Sequence, residues 1–379
     1  MKCRKDEFQL DNNYTYLNCA YKSPFTHTVF QAGKNSLEKN LCPNLITADD
    51  YFDDAEKVKK NFAKIIHENE SQRIAIIPSV SYGMANVANN IHLQQDENII
   101  TITEQFPSNY YIWKKLCEQH NAQFITVPPP NVFEKRAEIW NERVLEAINS
   151  KTKVVALNHV HWTDGTIFDL LTIRKRCDDV GALLIIDGTQ SVGAMEFDNS
   201  IIKADAVICA GYKWLMGPYN YGVGYYGAYF DNGNAIEESW KNRERSHVFS
   251  ELANYTDKYK PFANKYSVGE SGNFILSPML NAALEQILVW GVNNIQSYCK
   301  NLTDMPIKIL REKGFFIEET EYCARHLFGI IIQSEEELIY IFNQLRKNNI
   351  VVSIRGNCIR VSPHIYNDEN DMNKLLNCF

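Results

Sequence analysis

Leu183-Leu184-Ile185-Ile186-Asp187-Gly188-Thr189-Gln190 is the stretch that decides the fold. Four consecutive apolar residues leave no polar face, so a strand here must be covered on both sides, as strands of parallel sheets are. The carboxylate at its end is costly to bury unless a cation, a metal or hydrogen-bond donors meet it. In an open parallel sheet, ligands bind outside the carboxyl ends of the strands, where this aspartate stands. The octapeptide thus predicts a fold class and a place to look for chemistry.

Working outward, strands are expected at Ile74–Pro78, Ile99–Thr103, Phe124–Val127, Val154–His159, Ala206–Ala210 and Val223–Phe230. Helical patterns fall between them, near 51–69, 82–94, 109–121, 142–149 and 170–181. This alternation is α/β: a mostly parallel seven-stranded sheet covered by helices. From about 277 the rhythm changes to a long helical stretch, Pro278 to about Gly314. Strand-like Phe315–Glu319 and His326–Gln333, a helix over 335–349, two short strands and a terminal helix follow, which predicts a smaller α+β domain. The expected division is 20–268 for the large domain, with 1–19 and 269–379 forming the small one. Segment 231–268, rich in Asn, Lys, Glu and aromatics, reads as an elaborate connection that covers a site or meets a partner.

The whole chain has 379 residues, 45% hydrophobic and 22% charged, which excludes a disordered, collagen-like or coiled-coil protein. A net charge of −7 supplies no basic field for nucleic acid or anionic lipid, so an anionic ligand must be held locally. No apolar run reaches the length of a signal peptide or a membrane span, and a cytoplasmic setting is expected. The ten cysteines form no C-x-x-C pair and no compact framework, as reduced thiols would be arranged.

Three further places resemble Asp187 in following a strand or lying in one. Ser79-Val80-Ser81-Tyr82-Gly83 offers small hydroxyls and free amides at a helix start, suited to a phosphate, or else plain capping by Ser81. Tyr212-Lys213-Trp214-Leu215 flanks a lysine with large apolar groups, which depresses an amine's pKa as nucleophilic chemistry requires, although many lysines merely extend to solvent. Ile359-Arg360-Val361-Ser362-Pro363-His364 puts an arginine in a strand, either as a bidentate carboxylate clamp or as a structural ion pair. Two motifs mislead. Gly222-Val223-Gly224-Tyr225-Tyr226-Gly227 matches a dinucleotide fingerprint but opens no helix. His159 and His161 are spaced as metal ligands on one strand face, yet no third ligand accompanies them, so no metal is expected.

In combination, this order resembles the class V aminotransferase family of fold-type I pyridoxal-phosphate enzymes, whose members include cysteine desulfurases and kynureninases. The most specific stretches are Ile186-Asp187-Gly188-Thr189-Gln190-Ser191-Val192-Gly193 and Ala210-Gly211-Tyr212-Lys213-Trp214-Leu215-Met216-Gly217-Pro218. Glu104-Gln105-Phe106-Pro107-Ser108-Asn109 and Arg360-Val361-Ser362-Pro363-His364-Ile365-Tyr366-Asn367 add to them. The resemblance implies a PLP-dependent transferase fold with pyridoxal 5′-phosphate as cofactor. It makes Lys213 the Schiff-base lysine and proton carrier, and Asp187 the partner of the pyridine nitrogen. Gln190 would contact the phenolic oxygen and Phe106 would stack on the ring. Val80, Ser81 and Tyr212 would hold the phosphate, and Arg360 the substrate α-carboxylate.

Departures from the family pattern also bear on function. Trp162 stands where desulfurases have an asparagine, so the substrate side is bulkier and more aromatic. Gly269-Glu270-Ser271-Gly272-Asn273 matches the segment that reaches a neighbouring subunit's cofactor, which implies a homodimer with Ser271 near that phosphate. Cys358 lies two residues before Arg360, without room for the mobile loop of a desulfurase, and is expected to be a packing residue. The expected activity is transamination between an amino acid and a 2-oxo acid. The alternatives are a lyase or hydrolase acting at the β-carbon, kynureninase-like or desulfurase-like, and a non-catalytic PLP-binding protein. Arg355, Tyr21, His161, Trp162 and segment 231–268 are candidates for the side-chain pocket.

Overall fold

The computed structural model describes all 379 residues, Met1–Phe379. Its central sheet contains β1 (Ile74–Ile77), β2 (Asn98–Ile102), β3 (Gln123–Val127), β4 (Thr152–Asn158), β5 (Leu183–Asp187), β6 (Ala206–Cys209) and β7 (Gly222–Tyr226). The spatial order is β1-β7-β6-β5-β4-β2-β3. Only β7 runs antiparallel to its neighbours. The two-sided burial expected of Leu183–Ile186 is present: Leu184 and Ile186 join one apolar core, Leu183 and Ile185 the other. Val155 and Leu157 alternate with Val154 and Ala156 in the same way on β4. Helices cover both faces, with Val58, Phe62, Trp140, Ile173 and Leu280 on one side and Met84, Val87, Trp113 and Leu116 on the other.

The misleading glycine motif lies on β7, where a Cβ at Gly222 would come within 2.6 Å of the Cys209 carbonyl. Close strand packing, not phosphate binding, accounts for that glycine. Phe230 falls outside the strand, which ends at Tyr226 and passes into a single turn, Ala228–Phe230.

The C-terminal part carries a three-stranded antiparallel sheet of Ser353–Arg355, Cys358–Val361 and Phe328–Ile331, packed under its own core of Leu310, Ile341, Leu345 and Leu375. Thr15–Tyr16 pairs in parallel with Ile350–Val351, which brings the N-terminal segment to this region. Several expected boundaries move. The single helix expected from Pro278 to Gly314 is two, Leu276–Trp290 and Val292–Glu312, because Gly291 adopts φ +78° between them. Phe315–Glu319 is not a strand; Phe316 makes one isolated bridge to Ile331. The helix expected at 142–149 begins six residues earlier, at Arg136. Segment 231–268 is a chain of short turns joined by one bridge, Arg243 to Tyr259.

Arg136 begins its helix for a reason beyond propensity. Its guanidinium is buried between Asp164 (3.0 Å) and Glu318 (2.8 Å), and His161 sits 2.9 Å from the same Asp164. Burial opposes ionisation, but His161 and Arg136 together hold the Asp164 carboxyl well below the ordinary value. Removing one partner of such a network strands the others without solvent. Arg136→Ala is therefore expected to destabilise the fold by about 3–5 kcal/mol in a denaturant titration. A loss under ~1 kcal/mol would mean that water compensates both acids.

Candidate active site

The carboxyl ends of β1, β2, β4, β5 and β6 surround one cavity of about 230 Å³. Its walls include Val80, Ser81, Phe106, Trp162, Asp187, Gln190, Tyr212 and Lys213, eight of the ten residues expected from the sequence. Arg360 and Ser271 are not in the lining. Arg360 is adjacent, its Nη1 donating to the Trp162 carbonyl at 2.8 Å. Ser271 lies in a separate small cavity with Lys59, Lys241 and Lys260.

Asp187 closes β5 in register with Asn158 at the end of β4. Its Oδ1 accepts the Thr189 amide at 3.0 Å, and no cation of the chain reaches ion-pair distance. Burial raises its pKa, with Thr189 and the more distant Lys213 opposing the shift. Asn158 has neither amide atom satisfied, although it is 3% exposed. Buried polar atoms ordinarily find partners, so this strand end is built for a polar guest. Asn158 follows the same strand-end rule as Asp187, and in the sequence nothing but its place beside His159 and His161 marks it.

Lys213 follows β6 through a tight turn. Gly211 is obligatory in that turn, since a Cβ there would stand 2.0 Å from the Tyr221 carbonyl oxygen. The lysine is 6% exposed and its side-chain amine makes no hydrogen bond; the Nζ lies 5.1 Å from the centroid of the Phe106 ring. Burial lowers its pKa to about 8, aided by Arg360 and Arg355 and opposed by Asp187. A neutral amine is the form that attacks a carbonyl. Capture of pyridoxal phosphate by the apoprotein should then quicken about tenfold per pH unit up to about pH 8 and level off above it. Stopped-flow absorbance across pH 6–10 checks this, and a rise continuing to pH 10 would contradict it.

The helix start expected to serve an anion lies on the cavity wall, with one correction to its cap. The helix Val80–Ala88 is capped by Ser79, whose Oγ accepts the Tyr82 amide, not by Ser81. Ser81 Oγ instead donates to Ser108 Oγ at 2.8 Å, on the cavity wall. The first-turn amides of Val80 and Ser81 have no helical acceptor, and the helix dipole adds positive character there. Tyr212 stands opposite, its ring 4.7 Å from that of Tyr219. Gln190 has its Oε1 engaged by the Trp214 indole (2.8 Å), while Nε2 donates to the Ala20 carbonyl (3.3 Å) and retains a second hydrogen for the cavity.

Phe106 is set by the turn before it. Glu104 adopts φ +61°, and its carbonyl receives the Trp162 indole N–H at 2.7 Å with His161 Nε2 at 3.3 Å. The Phe106 and Trp162 rings then meet edge to face at 5.4 Å. His161 is fully buried behind this wall, beyond the end of β4, with Nδ1 2.9 Å from Asp164 and Nε2 on the Glu104 carbonyl. Tyr21 is 60% exposed and takes no part in the lining. Cys358 is packed against Thr163, its Sγ 3.5 Å from that carbonyl, and burial pushes its thiol far up.

Unpaired Asp187, unsatisfied Asn158, free Lys213 and a helix N-terminus together fit pyridoxal phosphate: an acid for the ring nitrogen, an amine for the aldehyde and amides for the phosphate.

Comparison with known proteins agrees. The model of the family "Aminotransferase class-V" matches residues 47–375. An uncharacterized aminotransferase of Bacillus subtilis, YcbU, is 24% identical over 325 residues, covering 85% of this chain and 82% of that protein. A probable cysteine desulfurase of Staphylococcus epidermidis is 29% identical over 248 residues, 65% of this chain and 55% of that protein. Among solved structures, the cystine C-S lyase C-DES in complex with its reaction product cysteine persulfide superposes with a TM-score of 0.85. Its identity is 18%, with 97% of each chain covered, so this likeness speaks for the fold. The chain belongs to the class V aminotransferase family, and the cofactor its cavity accommodates is pyridoxal phosphate.

Proposed function

We propose that this protein transfers an amino group between an amino acid and a 2-oxo acid. The observation that carries this reading is Arg360, 1% exposed, bonded to a cavity wall and paired with no carboxylate of its own chain. A buried guanidinium without a counter-ion is costly, and a substrate α-carboxylate would relieve that cost.

Bound pyridoxal phosphate supplies an electron sink for charge left at the substrate α-carbon. Lys213, buried and with a lowered pKa, would act as the base that takes the substrate α-proton and as the acid that returns it. Asp187 would hold the ring nitrogen protonated, and Arg360 would orient the substrate carboxylate. Phe106 would cover the ring and exclude water, Val80, Ser81 and Tyr212 would hold the phosphate, and Gln190 would meet the phenolic oxygen.

None of the ten cysteines, all unpaired, lines the cavity, which favours this reading over persulfide transfer through a chain thiol. The unpaired thiols also fit a cytoplasmic setting. No helix is long and apolar enough to cross a membrane. A homodimer is part of the proposal: Ser271 lies outside its own chain's cavity, and Phe30, Leu37, Leu41 and Leu45 stand exposed near one another in sequence.

The test is the visible absorption of the holoenzyme during titration with amino acids, followed by a 2-oxo acid. Bleaching by the amino acid and return with the oxo acid supports transamination. A persistent band with release of alanine or a sulfur species supports the β-carbon lyase, the reading that the desulfurase relatives favour.

A further inference from the structure

Arg360 is not the only unpaired guanidinium beside the cavity. Ser353–Arg355 and Cys358–Val361 form a hairpin in which Ser353 faces Arg360 and Arg355 faces Cys358. Side chains two apart on a strand share a face, so Arg355, Ser353, Cys358 and Arg360 all project to the same side. That side meets the cavity wall. Cys358 touches the Thr163 carbonyl, Arg360 donates to the Trp162 carbonyl, and the Arg355 guanidinium lies 5.5 Å from the centroid of the Trp162 ring.

Neither arginine forms an ion pair. The hydrogen bonds of Arg360 go to the Trp162 carbonyl and to Ser353 Oγ, that of Arg355 to its neighbour's Ile354 carbonyl. The Nε of each is buried without a partner. Lys213 adds a third cation, and both arginines bear on it. Against these stand the buried Asp187, which the ring nitrogen would engage, and Glu104, which is exposed and pairs with neither arginine. On the substrate side the two arginines therefore bond only to carbonyls and a hydroxyl, with no carboxylate of the chain paired to either.

The hairpin register also separates the two. Arg355 and Arg360 are diagonal across it, about 7–8 Å apart at the backbone. They also engage Trp162 differently, one at its carbonyl and one over its ring. This spacing suits two anionic groups on one molecule better than two contacts to a single carboxylate.

We propose that the substrate is an amino acid with an acidic side chain, its second carboxylate received by Arg355 over Trp162 while Arg360 holds the first. The proposal rests on the amino-acid reading above but not on transamination as such.

Its test uses the holoenzyme and two unreactive probes, maleate and butyrate, with binding followed by calorimetry. Wild-type protein is expected to bind maleate at least tenfold more tightly than butyrate. In Arg355→Gln the ratio should fall toward one, and in Arg355→Lys, which keeps charge without the planar fork, it should lie between. Equal affinities in the wild type, or a ratio unaltered by Arg355→Gln, would overturn the second-carboxylate site. Because neither probe has an amine, the result is independent of the reaction type. Failure of transamination would show only in the absorption cycle with amino and oxo acids, for which aspartate, glutamate and alanine are the panel.

Discussion

Lys213→Ala is expected to lower turnover by about 10⁴-fold, the upper range for losing a positioned acid-base group that also forms the covalent link to the cofactor. The same substitution should leave the thermal midpoint unchanged or higher. Lys213 is 6% exposed, its amine forms no hydrogen bond, and Arg360 and Arg355 bear on it, so its charged form opposes folding. A variant that is stable, inactive and still carries cofactor by its phosphate contacts separates catalysis from architecture. Steady-state turnover, differential scanning calorimetry and cofactor content after dialysis provide the three readouts. Activity within tenfold of wild type would remove Lys213 from the role of proton carrier.

Asp187 was legible in the sequence for a physical reason: it closes a continuously apolar strand, and a carboxylate there needs a partner that the strand cannot supply. Lys213 had no such signal of its own, since a lysine beside apolar groups commonly extends to solvent, and only the family resemblance singled it out. Asn158 obeys the same rule as Asp187, but an asparagine at a strand end carries no distinguishing signal until its amide is found buried and unsatisfied. Ser79 and Ser81 both stand at the helix start, so the sequence leaves the capping serine open; the Ser79 Oγ bond to the Tyr82 amide settles it. The helix His27–Asn40 left no periodic signal, since its buried stripe is Val29, Gly33 and Ser36 while Phe30 and Leu37 face outward. Gly291 divides a helical pattern that is unbroken as hydropathy because its φ of +78° is a property of the backbone, not of side-chain polarity. The Arg136 network was unreadable for another reason. Its members are separated by up to 182 residues, and only the folded topology brings Glu318 to Arg136.

Asp187→Asn is expected to cost about 10²–10³ in turnover while cofactor binding changes little. The carboxylate is the sole acid at the carboxyl end of β5, and its charge is what would keep the ring nitrogen protonated. Truncating one partner of a buried charged hydrogen bond removes about 2–5 kcal/mol, and each 1.36 kcal/mol is a factor of ten in rate. The loss should fall on the α-proton step alone, because the substitution leaves Val80, Ser81 and Tyr212, the proposed phosphate ligands, and Lys213 unchanged. Substrate deuterated at the α-carbon distinguishes this from general damage. If the electron sink is weakened, proton removal becomes rate-limiting and the isotope effect on kcat rises in the variant. If the isotope effect stays at the wild-type value while turnover falls, Asp187 acts by holding the cavity's shape. Burial raises this carboxyl above the ordinary carboxylate range in the cofactor-free chain, so without its guest it loses its charge more readily as pH falls. A protonated pyridine nitrogen beside it would reverse that direction, and Asp187→Asn, which can offer no charge at any pH, should abolish whatever acid limb the wild-type rate owes to it.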